Sequence, residues 1–497
     1  MGFIQKHAFR SMLISYVGLV LGYLNKAVLF LIILSTEQIG LVNLILSLGL
    51  LFSQLSNLGT INAVIKFLPF FKNNELKKSS FFNLNLKIVI GGIILFSLSL
   101  FLLRDIVIDA YSEKSILFVQ NYFWVVPIGV ANVFFVLFES YLRAHHKNVI
   151  SVFLNDFLLR LFVTILLFLL WFKWIDFNYF LVLHCLIYFI PTIVLLIVIL
   201  NSKTYSLNNK QLKLSSTFKK IIINYSLFSY TNTLGILIVT TMDTMMIAYY
   251  NGLGDTGVYT TILYLISALT IPYRSLVRVS EPLIPKYWKE KNYEEMENLY
   301  RKVSSISLII ILYMFMLIWL NRNELFSLLK TEYLAGIWVF FFLMIGKIID
   351  MYFGLNGLIL VTSKKYKYDM IFTLSLLVIV FTLNCFLIPI YGMVGAAIST
   401  SFALLIYNFG RMIFVFVAYK MHPFSMKQIW VFVLFGSVFS MIELLPAFSQ
   451  NKFLILGINT LLISLLFLGS VFILKLEPEI NSYIKKGFNF VFKILKK

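Results

Sequence analysis

Two arginines interrupt an apolar run. In the stretch 255–290, Arg274 and Arg278 lie four residues apart and so share one helix face. An arginine deep in a membrane helix costs about 2.5–3.5 kcal/mol on insertion scales, and is tolerated where it faces a wet cavity or a partner. Glu281, three residues past Arg278, is placed to pair with it, whereas Arg274 has no acid three or four residues away on either side. Five more cations fall inside apolar runs: Lys26, Lys87, Arg160, Lys347 and Arg411. Lipid exposure of all seven would cost roughly 20 kcal/mol, beyond an ordinary stability margin. Most must therefore face protein or water, where they could hold an anion. Local pairing is the alternative. Asp156 with Arg160 and Glu139 with Arg143 stand at i,i+4 and Lys347 with Asp350 at i,i+3, while Lys87 and Arg411 lie near enough to a span end to snorkel.

Other chemistry is not encoded. No Ser-His-Asp set, metal motif or nucleotide loop occurs. His145 and His146 sit beside Arg143 and Lys147 without the further ligands a metal needs, so no metal site is expected. Cys185 and Cys385 both lie in apolar runs and suggest neither a disulfide framework nor a metal site. No cofactor is expected.

The elements that must position these cations are membrane spans. The 497 residues are 60% hydrophobic and 13% charged, against roughly 45–50% and 25% in soluble domains. The reading is an all-α polytopic membrane protein with about fourteen transmembrane helices, at about 20 residues each. Their limits are 11–34, 40–66, 81–103, 116–144, 149–172, 178–200, 221–249, 256–283, 303–321, 334–362, 368–390, 393–419, 427–447 and 453–474. The first run lacks a small-residue cleavage site and reads as a retained span.

The net charge of +20 reflects orientation. With the N-terminus inside, about 29 of the 42 Lys+Arg fall in inner segments and about 6 in outer ones. Both termini are then cytoplasmic. Basic residues spread over many short loops do not make a nucleic-acid surface. The organisation expected is an N-terminal six-helix lobe (1–200), a polar cytoplasmic linker (201–220), a C-terminal six-helix lobe (221–420), two extra transmembrane helices (427–474) and a basic cytoplasmic tail (475–497). In the tail, Ile480, Ile484, Phe488, Val491 and Ile494 alternate with lysines. It reads either as an amphipathic helix on the anionic inner leaflet or as disordered.

A short repeat supports duplication. Glu37-Gln-Ile-Gly40 opens a span ending at Pro69, and Asp255-Thr-Gly257 opens one ending at Pro285, with nearly equal Gly-to-Pro separation. Six spans plus six is the arrangement of an internally duplicated transporter.

The segments Thr36-Glu37-Gln-Ile-Gly40-Leu-Val-Asn43, Gln54-Leu-Ser-Asn-Leu-Gly59, Phe67-Leu-Pro69, Asp243, Asp255-Thr-Gly257-Val-Tyr259, Pro282-Leu-Ile-Pro285 and Tyr391-Gly-Met-Val-Gly395-Ala-Ala resemble the Wzx-type oligosaccharide flippases of bacterial polysaccharide synthesis. The resemblance implies two six-helix bundles in a V around a central cavity, similar to drug exporters of the same superfamily and to lipid II flippases. In the latter, two extra helices form a groove for the lipid tail, and the gate lies between spans one and eight. It implies that undecaprenyl-diphosphate oligosaccharide is moved from the inner to the outer leaflet of the cytoplasmic (inner) membrane by alternating access, for polysaccharides such as O-antigen. The cations would then cage a diphosphate, and membrane lipids, a polymerase and glycosyltransferases would be partners. It also implies an ion site, for Na+ or H+ coupling, among Asp243, Asn384 and Thr400. Ile388 stands where a second acid would help.

Two other classes compete. A polysaccharide polymerase or ligase commonly uses a large outer loop, and the outer loops here are short. A cation-coupled drug exporter of the same fold wants buried acids, and the first span carries Lys26.

Overall fold

A computed structural model describes residues 3–71, 74–145, 149–202, 215–445, 451–482 and 485, with side chains from residue 13 onward. Most of the expected linker and tail, and His146 and Lys147, lie outside the described residues. Among the described residues every regular element is helical and none is a strand.

The long helices, in chain order, are α1 (Leu13–Ile33), α2 (Thr36–Ser56), α3 (Glu75–Leu102), α4 (Ile116–Ala144), α5 (Val149–Trp171), α6 (Phe177–Asn201), α7 (Ser216–Tyr250), α8 (Leu253–Leu269), α9 (Ile271–Glu290), α10 (Tyr293–Trp319), α11 (Thr331–Tyr352), α12 (Lys367–Tyr419), α13 (Met426–Glu443) and α14 (Lys452–Ile473). Twelve are long and apolar enough to cross a membrane by themselves, and α8 with α9 makes a thirteenth as a pair bent by 50°. The expectation was about fourteen, and α12 carries much of the difference. Its 53 residues are two helices joined at Gly392, whose φ 57 and ψ −140 are not helical. An unbroken helix of that length would span about 80 Å, far beyond the ~30 Å apolar thickness. Instead it folds back on itself: Phe372 packs on Phe414, and Asp369 meets Arg411.

Helix starts are written in the sequence. Ser35 and Gln38 form a reciprocal capping box at α2. Ser425 and Gln428 do the same at α13. Asn74, Asp176, Ser215, Asn292 and Asn451 each accept a bond from a first-turn N–H. At several helix ends the left-handed position that glycine usually fills is held by lysine: Lys173, Lys291, Lys420 and Lys475 all have positive φ. Each thereby sets a cation at the negative end of a helix.

The chain packs as two compact units, Met1–Thr261 and Ile262–Lys497. The first holds more than the expected N-terminal lobe, because α7 and the start of α8 pack there. Its core is aromatic, with Phe67, Phe71, Phe81, Phe82, Phe138 and Tyr141 buried together. In the second unit, α13 and α14 pack on α10. Val431, Val438, Ile463 and Phe467 share one buried cluster with Ile306, Leu312 and Met316. The Tyr313 and Ser464 hydroxyls lie 2.8 Å apart, and Arg322 grips Glu443 with two bonds. The two extra helices are thus integral to that unit's core. Elsewhere large apolar side chains face outward, such as Phe386 and Ile390 on α12. That surface suits lipid rather than water.

Candidate functional site: polar networks within each unit

In the first unit the polar residues of α1 reach two neighbours, α5 and α2. A π turn, Leu24–Leu29, carries Lys26, and another in α5, Phe153–Leu158, carries Asp156. Such insertions re-aim side chains and recur at functional sites. The Ser15 hydroxyl donates to Asp156 Oδ2 at 2.7 Å, and Arg160 donates to the Gly18 carbonyl at 2.6 Å. The expected Asp156–Arg160 pair therefore does not form; each residue bonds α1 instead. Asn25 donates to the Arg160 carbonyl at 2.8 Å and accepts from Thr164 at 2.8 Å. Gly22 lies under the guanidinium, and an added Cβ there would stand 2.8 Å from Arg160 Nη1.

Lys26 Nζ donates to Asn43 Oδ1 at 3.1 Å, and Asn43 Nδ2 donates to Thr260 Oγ1 at 3.0 Å. Asn43 and Thr260 were not singled out from sequence, although each stands three residues past a repeat glycine, Gly40 or Gly257. Asp243 is buried and accepts from the Tyr259 hydroxyl at 2.5 Å. Lys87 is exposed on α3. Among the described residues no group of three His, Cys, Asp or Glu could hold a metal.

In the second unit two of the four candidate cations are neutralised. Lys347 lies 3.7 Å from Asp350, as its spacing predicts. Arg411 does not snorkel. It is buried against Asp369, covers the Tyr407 ring at 4.1 Å, and rests on Gly357, where a Cβ would come within 2.7 Å of Nη1. Asn408 joins Asp350 to Asn356. Its Nδ2 donates to Asp350 at 3.2 Å, and its Oδ1 accepts from Asn356 at 3.2 Å. Asp350, Asn356, Asp369, Tyr407 and Asn408 were not named from sequence as site residues. The Tyr273 hydroxyl reaches the Gly354 carbonyl at 2.9 Å, bringing α9 onto the same network. Asn384 is buried and Thr400 half-buried, both on α12.

Arg274 and Arg278 differ from all of these. Pro272 follows the bend at Thr270 and starts α9, since proline fits a first helical turn but breaks a continuing ladder. The bend re-aims α9 by 50° relative to α8. Both arginines are exposed within their unit, and neither makes an ion pair or side-chain hydrogen bond among the described residues. Glu281 does not pair with Arg278, contrary to expectation.

A polytopic helical protein, with cations and polar networks set inside apolar spans, falls in the class of multi-pass membrane proteins. The chain belongs to a family described as polysaccharide biosynthesis protein, whose model matches residues 4–288. In fold it is similar to the lipid II flippase MurJ in an inward closed conformation, with TM-score 0.70 and 14% identity over 94% of this chain and 99% of that one. It is similar too to a multidrug resistance MATE family transporter of the MOP superfamily, inward-facing, with TM-score 0.64 and 12% identity over 83% and 98%. A third likeness is to a MOP superfamily transporter from Pyrococcus furiosus described as having a binding pocket of reverse polarity, with TM-score 0.51 and 12% identity over 84% and 96%. At these identities the likeness is one of fold. Among curated proteins none matches.

Proposed function

We propose that this protein flips undecaprenyl-diphosphate-linked oligosaccharide from the inner to the outer leaflet of the bacterial cytoplasmic membrane, by alternating access. The observation that carries the reading is the pair Arg274 and Arg278, exposed and unpaired among the described residues, on a segment bent by 50° within an apolar span. Two guanidinium forks one helical turn apart match two linked phosphates, each able to accept a pair of parallel N–H bonds. Lys26, which donates to Asn43 Oδ1, adds positive charge in the other unit. In this reading Lys347, Arg411, Arg160 and Lys87 shape or line the path. Asp243 in the first unit, and Asn384 and Thr400 in the second, are oxygen-bearing candidates for Na+ or H+ coupling. Glycosyltransferases supply the cargo and a polymerase consumes it, and both termini are cytoplasmic.

The test is reconstitution in proteoliposomes with two cargoes, the diphosphate-linked sugar and a neutral glycolipid with the same chain and sugar. Movement of the first at least about tenfold faster is expected from two charge-assisted contacts. Equal rates would remove the cation reading, and no movement of either would remove the flippase.

A further inference from the structure

The far end of α14, within the second unit, holds a cavity lined by two lysines. The helix closes with a paired motif: Lys475 N–H donates to the Phe472 carbonyl and Leu476 N–H to the Val471 carbonyl, each at 3.2 Å. The residue at the left-handed corner is Lys475, φ 50, where glycine is usual. The chain then folds back, and Asn481 Nδ2 donates to the Phe472 carbonyl at 3.2 Å. Phe472, Lys475, Pro478, Asn481, Ser482 and Lys485 line a cavity of about 660 Å³ there, with Ile473 at its edge.

The lining is specific in three ways. Its charged members are Lys475 and Lys485, and no acid lines it. Glu479, nearby in sequence, is engaged by Lys302 at 2.6 Å, and Glu477 is buried with burial holding its carboxyl above the usual carboxylate range. Asn481 Oδ1 is a buried acceptor with no donor among the described residues. Finally, the cavity opens beside apolar surface: Ile473 is 76% exposed and Leu474 51%, at the end of a membrane span. A ligand that satisfies all three carries an anionic phosphate, a hydroxyl donor and hydrocarbon.

We propose that this cavity seats the headgroup of an anionic phospholipid of the phosphatidylglycerol type. Its phosphodiester lies between Lys475 and Lys485, its glycerol hydroxyl donates to Asn481 Oδ1, and its acyl chains run along Ile473 and Leu474. Lysine at the helix corner places its ammonium at headgroup depth, next to the negative end of the helix, and the lipid phosphate meets it there.

The test needs no oligosaccharide, so its outcome is separate from the transport reading. The full chain is extracted from vesicles containing phosphatidylcholine, phosphatidylglycerol and phosphatidylmethanol in equal amounts, and retained lipid is counted by native mass spectrometry. Phosphatidylmethanol has the same phosphodiester charge and lacks the hydroxyls. Expected is about tenfold retention of phosphatidylglycerol over phosphatidylcholine and several-fold over phosphatidylmethanol. The variant Lys475→Gly with Lys485→Gln should lose the preference while folding normally, because glycine suits the corner. Lys485→Arg should keep it. Equal retention of the three lipids would overturn the proposal, as would an unchanged preference in the charge-removed variant. Displacement of the lipid by equimolar polyprenyl phosphate would assign the cavity to the cargo instead and overturn it too.

Discussion

Gly40 and Gly257 face each other where α2 crosses α8. A Cβ added to either glycine would stand 3.1 Å from the other's backbone nitrogen, and closer still to the Leu253 or Thr36 carbonyl. Three residues further along each helix, Asn43 and Thr260 join by a hydrogen bond at 3.0 Å. The two copies of the repeat thus meet at one crossing, with small residues for close approach and a polar pair beneath.

Replacement of Gly257 by leucine should therefore separate the helices. The expected loss is about 1–3 kcal/mol, as for other overpacked sites, read as a fall in the thermal midpoint of purified protein. Gly91→Leu is the matched control, since nothing lies within 4 Å of a Cβ there. Equal midpoints for the two variants would show that the crossing is not tight.

How much of this was open to a reader of the sequence depends on distance along the chain. The spans were legible because each must satisfy its backbone internally, so length and apolarity reveal it. Some pairs within one helix turn were legible as well: Glu139 meets Arg143 at 2.7 Å, and Lys347 meets Asp350, although Arg278 and Glu281 do not pair. Partners on other helices were not. Asp156 could take Arg160 one turn away or Ser15, 141 residues away, and it takes Ser15. Arg411 finds Asp369 only because α12 doubles back at Gly392. Asn43 and Thr260 lay between, visible once the repeat glycines are aligned and each chain is followed for three residues.

The Arg411–Asp369 pair gives a second prediction. Its side chains are 11% and 8% exposed, so each charge depends on the other. Asp369→Leu alone should cost about 3–5 kcal/mol by stranding a buried guanidinium, and Arg411→Met alone a similar amount. The double variant should recover most of that loss, because two apolar groups replace two compensated charges. A double-mutant cycle of thermal midpoints measures this. Simple additivity would mean the charges do not depend on one another.

Arg274 and Arg278 should act on transport rather than on folding. Both are exposed and unpaired among the described residues, so truncation strands nothing. Arg274→Ala is expected to lower flipping of a diphosphate lipid by about tenfold or more, at near-normal expression, with Arg274→Lys in between because lysine keeps charge and loses the fork. Surface polysaccharide in a strain that depends on this protein provides the measurement. Normal polysaccharide from Arg274→Ala would take that residue out of recognition.

The last prediction concerns the driving force. A diphosphate cargo carries about two negative charges, and the cell interior is negative. Moving each charge outward through the field gains about 2.3 kcal/mol per 100 mV, so two gain roughly 4–5 kcal/mol if they cross it uncompensated. Basic residues that move with the cargo cancel part of this during loading. Over a full cycle they return to where they began, and only the cargo and any coupled ion have moved. The drive over a cycle is then set by cargo and ion charge alone, whatever the protein's own charges do in between. The sequence contains no phosphate-binding nucleotide loop that would suggest direct use of ATP. A potassium–valinomycin potential of either sign across proteoliposomes, with no other ion gradient, should therefore change both the rate and the extent of transfer. Transfer should rise when the compartment receiving the sugar is positive and fall when it is negative. Equal rates and extents at both signs would remove the potential as the drive and leave consumption of the cargo on the far side to pull the reaction.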